Sequence, residues 1–172
     1  MKRKLITLCI IIICFLLECT VFQHLAFGTV KPNLLLIVTS SFGFMRGKKE
    51  GMTVGFLCGL LTDIMFYELI GFYALIYTAI GYANGFFRKI FYADDIKLPL
   101  FLIGASDFIY GNLVCIFRFI MRSKFNYFYY LKSIIIPQLI YTVLITLVLY
   151  QVILHIDQRL EVKEKRSASK FV

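Results

Sequence analysis

Apolar residues along this chain come in nearly unbroken blocks separated by short polar or basic joints, not in the alternation of a half-buried strand or a surface helix. The first block, residues 5–27, is apolar apart from Thr7, Glu18, Thr20, Gln23 and His24. At about 1.5 Å per residue it is long enough to cross a hydrocarbon core of about 30 Å. A basic start followed by an apolar run also marks a secretory signal peptide, but there the apolar part covers only about 7 to 15 residues and ends at small side chains. Glu18 and the bulky Val21, Phe22, Leu25 and Phe27 indicate a retained helix instead.

A second block, 32–45, opens at Pro32 and would cover only about 20 Å as a helix. That length favours a re-entrant or broken helix, whereas the basic cluster Arg46, Lys48 and Lys49 after it favours a crossing that ends in the cytoplasm. Counted as a crossing, it is followed by blocks 51–67, 69–87, 98–121 and 133–155. The expectation is an all-α integral membrane protein, a six-helix transmembrane bundle forming one domain over 1–155, with a polar, frayed cytoplasmic tail over 156–172.

Composition and charge sharpen this picture. Of 172 residues, 60% are hydrophobic and 17% charged, against about 25% charged in soluble domains. Six spans use almost all of the chain and leave no room for a soluble catalytic domain. The formal charge of +9 is unevenly placed. Six crossings collect Lys2, Arg3, Lys4, Arg46, Lys48, Lys49, Arg88, Lys89, Lys97 and the tail's Arg159, Lys163, Lys165, Arg166 and Lys170 on one side. Only Lys31, Arg118, Arg122, Lys124 and Lys132 fall on the other, so both termini are expected in the cytoplasm. The basic and aromatic loop 122–132 is expected to lie flat in the outer headgroup region. With no Trp in the chain, anchoring at the interface falls to Tyr and the basic ends.

Candidate chemistry is sparse. Cys9, Cys14, Cys19, Cys58 and Cys115 lie inside apolar blocks with no Cys-x-x-Cys pair, and read as small packing residues. His24 and His155 sit near opposite membrane faces. No phosphate-binding Gly-rich loop and no Gly-x-Ser-x-Gly elbow occurs. No catalytic residue, cofactor or metal is expected. The basic tail is read as a topology signal attracted to anionic lipid, not as a nucleic-acid arm.

The sharper signals are glycines and acids. Gly51, Gly55, Gly59 and Asp63 recur every four residues and fall on one face of the third helix, with Gly81 and Gly85 repeating the spacing at the end of the fourth. Such a face lets another backbone come close, either within the bundle or from a partner helix. Glu18, Asp63 and Asp107 are acids within spans, where each costs about 2.5 kcal/mol or more unless paired, protonated or hydrated. Asp63 can cap the turn that leads to Gly71 or accept hydrogen bonds from the first amides of the fourth helix; contact with a partner or ligand and acid catalysis are the other readings. Asp107, followed by Gly111 and Asn112, is a candidate to face Asp63 across the bundle.

The stretch 51–85, GMTVGFLCGLLTDIMFYELIGFYALIYTAIGYANG, preceded by Pro32 and Asn33, resembles the bacterial rod shape-determining family MreD. That family's segment is a glycine-rich helix ending in Gly-x-x-x-Asp, a short turn, a Gly and another apolar helix, and Gly59, Asp63 and Gly71 match it. Pro32 matches a Pro that begins the family's second helix, whereas Asn33 stands where many relatives carry an acid. The resemblance implies a fold related to the membrane-embedded substrate-binding subunits of energy-coupling-factor transporters. It implies partners in lateral wall synthesis: MreC most directly, with MreB, RodA and a class B penicillin-binding transpeptidase, and self-association as a further option. The function expected is a non-enzymatic membrane scaffold for cell shape in the bacterial cytoplasmic membrane.

Two other classes compete. A solute-binding subunit of an energy-coupling-factor type transporter predicts a polar, ligand-sized cavity open to the outside, although the first span lacks an Ala-x-x-x-Ala face for a coupling partner. An intramembrane hydrolase would use Asp63 and Asp107 as a proton-sharing pair, as lipoprotein signal peptidases use two aspartates, but their surrounding motifs are absent.

Overall fold

The computed structural model describes residues 2–21, 30–66, 71–90, 96–122 and 127–168, and these are mainly helical with no strand among them. Six main helices follow in order: α1 (Lys2–Cys19), α2 (Leu34–Arg46), α3 (Lys48–Phe66), α4 (Phe72–Asn84), α5 (Lys97–Arg122) and α6 (Ile136–Ala168). Two apolar stretches, Lys97–Phe117 and Leu131–Leu160, are long and apolar enough to cross a membrane. The expectations placed on the end of the first block (22–27, with His24) and on 123–126 lie outside the described residues.

Only 13 residues long, like α4, α2 is the axis of the bundle. Every residue from Leu34 to Arg46 is buried, and α2 touches each of the other five main helices. A helix that is apolar all round, with only Thr39, Ser40 and Ser41 as polar members before its last residue, has no face suited to water and is stable only when wrapped. Two of its polar members hydrogen-bond to helix groups. Thr39 donates to the Leu35 carbonyl at 2.9 Å, and Ser40 accepts from Asn84 of α4 at 3.4 Å. Asn84 also donates to Ser106 of α5 at 2.8 Å, so three helices share one amide group.

Glycines set how closely α2, α3 and α4 pack. The joint between α2 and α3 is Gly47 alone, at φ 96°, a conformation that side chains with a Cβ rarely adopt. Beyond it, the four-residue spacing of Gly51, Gly55 and Gly59 lies against α4. A Cβ on Gly55 would come within 2.8 Å of the Tyr77 carbonyl carbon, and one on Gly59 within 2.6 Å of Ala74 N. On the α4 side, a Cβ on Gly81 would meet the backbone of Gly51 at 2.7 Å, and one on Gly85 would meet that of Lys48. The whole glycine face is therefore filled from within the chain.

Proline and the polar tail shape the last two helices. Pro99 sits in the first turn of α5, where an amide has no intrahelical partner to lose. Pro137 lies just inside α6, and the π-helical stretch Leu131–Ile135 before it is where the Ile136 amide reaches the Leu131 carbonyl. A residue without an N–H cannot close the ordinary i→i−4 bond, and a wider turn accommodates the gap. One sequence expectation is corrected here. Segment 156–172 is not a frayed tail from its start, because α6 continues to Ala168 and Asp157 is tied into the bundle. Within 122–132 the described residues are helical, with Tyr127–Tyr130 leading straight through the π turn into α6.

Candidate functional site

Two helix starts at the end of the bundle away from the chain's N-terminus are capped by acids from the preceding helix. The first four amides of any helix lack intrahelical acceptors. In α2, Leu35 N donates to Glu18 Oε2 at 3.3 Å, with Leu34 N also bonded to that carboxylate. Leu36 N donates to Asn33 Oδ1 at 3.0 Å, and Ile37 N to the Asn33 carbonyl at 3.3 Å. In α4, Asp63 Oδ2 accepts from Gly71 N at 2.9 Å and Ala74 N at 3.0 Å, and Oδ1 accepts from Tyr73 N at 3.0 Å. Gly71 makes this approach possible, since its φ of 108° turns the chain so that its own amide points back at Asp63. Each acid sits where the positive end of a helix dipole favours a carboxylate.

Asp107 belongs to a different group. It is buried on α5, and its Oδ1 accepts from Gln138 Nε2 of α6 at 3.3 Å, with Thr142 as a second partner. Thr142 Oγ1 accepts from Asn33 N at 3.4 Å, and Asn33 Oδ1 accepts from the Tyr77 hydroxyl at 2.7 Å. The polar chain from Asp107 to Tyr77 thus ties α5, α6, the start of α2 and α4 together. Asp63 and Asp107, weighed in the sequence as a facing pair, are each engaged with different partners.

Above this polar chain opens a cavity of about 590 Å³. Glu18, Lys31, Asn33, Tyr77, Tyr110 and Gln138 face it, together with Pro32, Thr62, Tyr130 and an apolar wall of Val114, Ile134 and Ile135. Every one of the six main helices contributes a residue or a flanking residue to its lining. Among the described residues there is no group of three His, Cys, Asp or Glu able to hold a metal ion.

The model of the rod shape-determining protein MreD family matches residues 1–159 of the chain. The chain belongs to the MreD family. Its role is therefore in rod shape determination, and it is a membrane protein of a family that is structural and not a known enzyme family. A search of the curated proteins and of the solved structures returned no match. The MreD match takes in both capped helix starts, the cavity and the whole glycine face.

Sequence reasoning missed one cluster within the MreD match. Arg46, counted only as a cytoplasmic charge, is buried. Its Nε donates to Asp157 Oδ1 at 2.7 Å and its Nη1 to Thr7 at 2.8 Å, and Nη1 lies 3.7 Å from Glu50. The guanidinium also stacks on the Phe42 ring, 4.4 Å from its centroid. One planar cation thereby joins α1, α2, α3 and α6 at the end of the bundle opposite the cavity. Asn33 was likewise legible only as a departure from relatives, although Asn directly before an apolar run is an N-cap signal.

Proposed function

We propose that this MreD-family chain is a non-enzymatic scaffold of the bacterial cell-elongation machinery, which positions MreC and through it MreB, RodA and a class B penicillin-binding transpeptidase. The observation that carries the reading is Asp63, the acid best placed for chemistry by sequence. Both of its oxygens are occupied by three backbone amides, and the residue is buried. A carboxylate held this way builds the bundle and is not offered to a substrate. We place both termini in the cytoplasm and all six helices across the cytoplasmic membrane, which puts the capped helix starts on the outer side. Since the glycine face is used internally, partner contacts fall to the lipid-facing sides, where α1, α5 and α6 expose large apolar side chains such as Leu16, Phe101 and Val148.

The test is a mild-detergent pull-down of the tagged chain from its native membrane, read by mass spectrometry for proteins and small molecules. Recovery of MreC with wall-synthesis enzymes is expected, and their absence from a well-solubilised sample overturns the scaffold. A second reading, a solute-binding membrane subunit, is favoured by the cavity. It expects a coupling membrane protein and paired ATPases in the same sample.

A further inference from the structure

The cavity at the capped helix starts has a volume of about 590 Å³, within the roughly 300–1,000 Å³ of small-molecule sites. The charges in its wall are already matched. Glu18 caps the first amides of α2 and interacts with Lys31, so the two opposite charges offset each other. A ligand with a net charge would leave water and find no counter-charge to meet it. The tyrosine hydroxyls are engaged as well: that of Tyr77 donates to Asn33 Oδ1 at 2.7 Å and is hydrogen-bonded to Tyr110. What these two residues offer is ring surface. Their rings meet edge to face with centroids 5.5 Å apart, a fixed aromatic corner on one side of the space.

Two polar atoms of the wall remain to be used. Asn33 commits Oδ1 to Leu36 N and the Tyr77 hydroxyl, and its backbone amide to Thr142. Among the described residues, its side-chain Nδ2 has no acceptor. Gln138 commits Nε2 to Asp107, and its Oε1 has no donor among the described residues. Neither atom is sealed off from solvent, and both residues line the cavity. Thr142, which the Asn33 amide reaches at 3.4 Å, lies one helical turn beyond Gln138 on α6. The two side chains therefore share one side of the space. The bonds already made fix the polarity of each, since Asn33 presents a donor and Gln138 an acceptor.

We propose that this cavity binds an uncharged aromatic carboxamide, its carbonyl oxygen accepting from Asn33 Nδ2, its N–H donating to Gln138 Oε1, and its ring against Tyr77 and Tyr110. A carboxamide sets an acceptor and a donor side by side without charge, and Val114, Ile134 and Ile135 supply apolar wall for the ring. The proposal deepens the solute-binding reading by naming a ligand class. Holding a ligand requires no coupling protein, so the titration below and the pull-down succeed or fail separately.

The probes are quinoline-3-carboxamide, 3-acetylquinoline, which keeps the carbonyl and lacks the N–H, and quinoline-3-carboxylate, which is charged. Each is titrated against the full chain in lipid nanodiscs and read by saturation-transfer NMR, with empty nanodiscs as the blank. The carboxamide is expected to bind about tenfold tighter than either of the others. Gln138→Met removes the acceptor while Thr142 stays on Asp107, and should bring the carboxamide down to the level of the ketone. Asn33→Asp keeps oxygens for Leu36 N and the Tyr77 hydroxyl and should weaken carboxamide and ketone alike. The comparison of the three probes on the unaltered chain stands even if a variant does not fold. No carboxamide binding above the blank overturns the proposal, as does equal binding of carboxamide and ketone or tighter binding of the carboxylate. A carboxamide preference that survives Gln138→Met in a folded chain overturns it as well.

Discussion

Nε of Arg46 lies 2.7 Å from the carboxylate of Asp157, a residue 111 positions away in sequence. The pair pins the far end of α6 to the last residue of α2, with Thr7 of α1 on the same guanidinium. Removing one partner of such a pair leaves the other charge buried and unmatched, which costs more than the pair itself contributes.

Asp157→Asn is therefore expected to lower stability by about 2–4 kcal/mol, the lower end applying because Glu50 and Thr7 stay near Arg46. Arg46→Met, which removes the charge and keeps the stem over Phe42, should cost less than Asp157→Asn. Thermal unfolding of purified protein in one detergent checks the order. Equal losses for the two variants would mean that the pair acts through packing alone.

Asp63→Ala leaves three amides without acceptors, each buried donor costing about 1–3 kcal/mol. We expect a large drop in folded yield, measured by fluorescence-detected gel filtration. Asp63→Asn should fall between, since its one remaining oxygen can hold two of the three donors. An unchanged Asp63→Ala would show that water reaches this turn.

Glycine substitutions should separate by geometry. Gly59→Ala places a methyl against the Ala74 backbone and must push α3 from α4, whereas Gly104→Ala meets only a Val143 methyl at 3.4 Å. Gly71→Ala has open space but the wrong φ, at a cost of about 1–3 kcal/mol. The expected order of destabilisation is Gly59→Ala, then Gly71→Ala, then Gly104→Ala, read as shifts in Tm. Gly59→Leu should unfold the bundle, and intact folding would refute the packing role; on the scaffold proposal, loss of MreC from the pull-down follows.

Asn33→Asp keeps oxygens for Leu36 N and the Tyr77 hydroxyl and should be tolerated. Asn33→Ala loses the cap and strands the hydroxyl, at about 1–2 kcal/mol. The same unfolding assay distinguishes them, and an equal loss in both would point to the Asn33 side-chain amide nitrogen as the group that matters.

Much of the architecture is written locally. Apolar blocks mark the helices, and the spacing of Gly51, Gly55 and Gly59 marks the face that meets α4. Asp63 stands on that face one turn later, and the amides it reaches are only eight to eleven positions away. The relations that sequence hid are the distant ones. Arg46 reads as one of a basic cluster because its partner Asp157 stands among the charged residues of the last helix. Asp107 reads as a possible mate for Asp63, since nothing in one sequence shows that Gln138 and Thr142 come to it first. Glu18 looked costly until α2 folded back to offer its amides. The cavity could not be read at all, because its lining is gathered one or two residues at a time from every helix.

Thirteen residues make α2 about 20 Å long, roughly 10 Å less than the hydrocarbon thickness of a bilayer. A segment that short, carrying Thr39, Ser40, Ser41 and Arg46, is a poor candidate to partition into lipid by itself as it leaves the ribosome. On the six-span proposal such a segment depends on its neighbours to be carried in, which makes biogenesis a question of assembly order. The missing length is not wasted: α2 begins short of the end of the bundle where Glu18 and Asp63 cap the helix starts, and the cavity lies there.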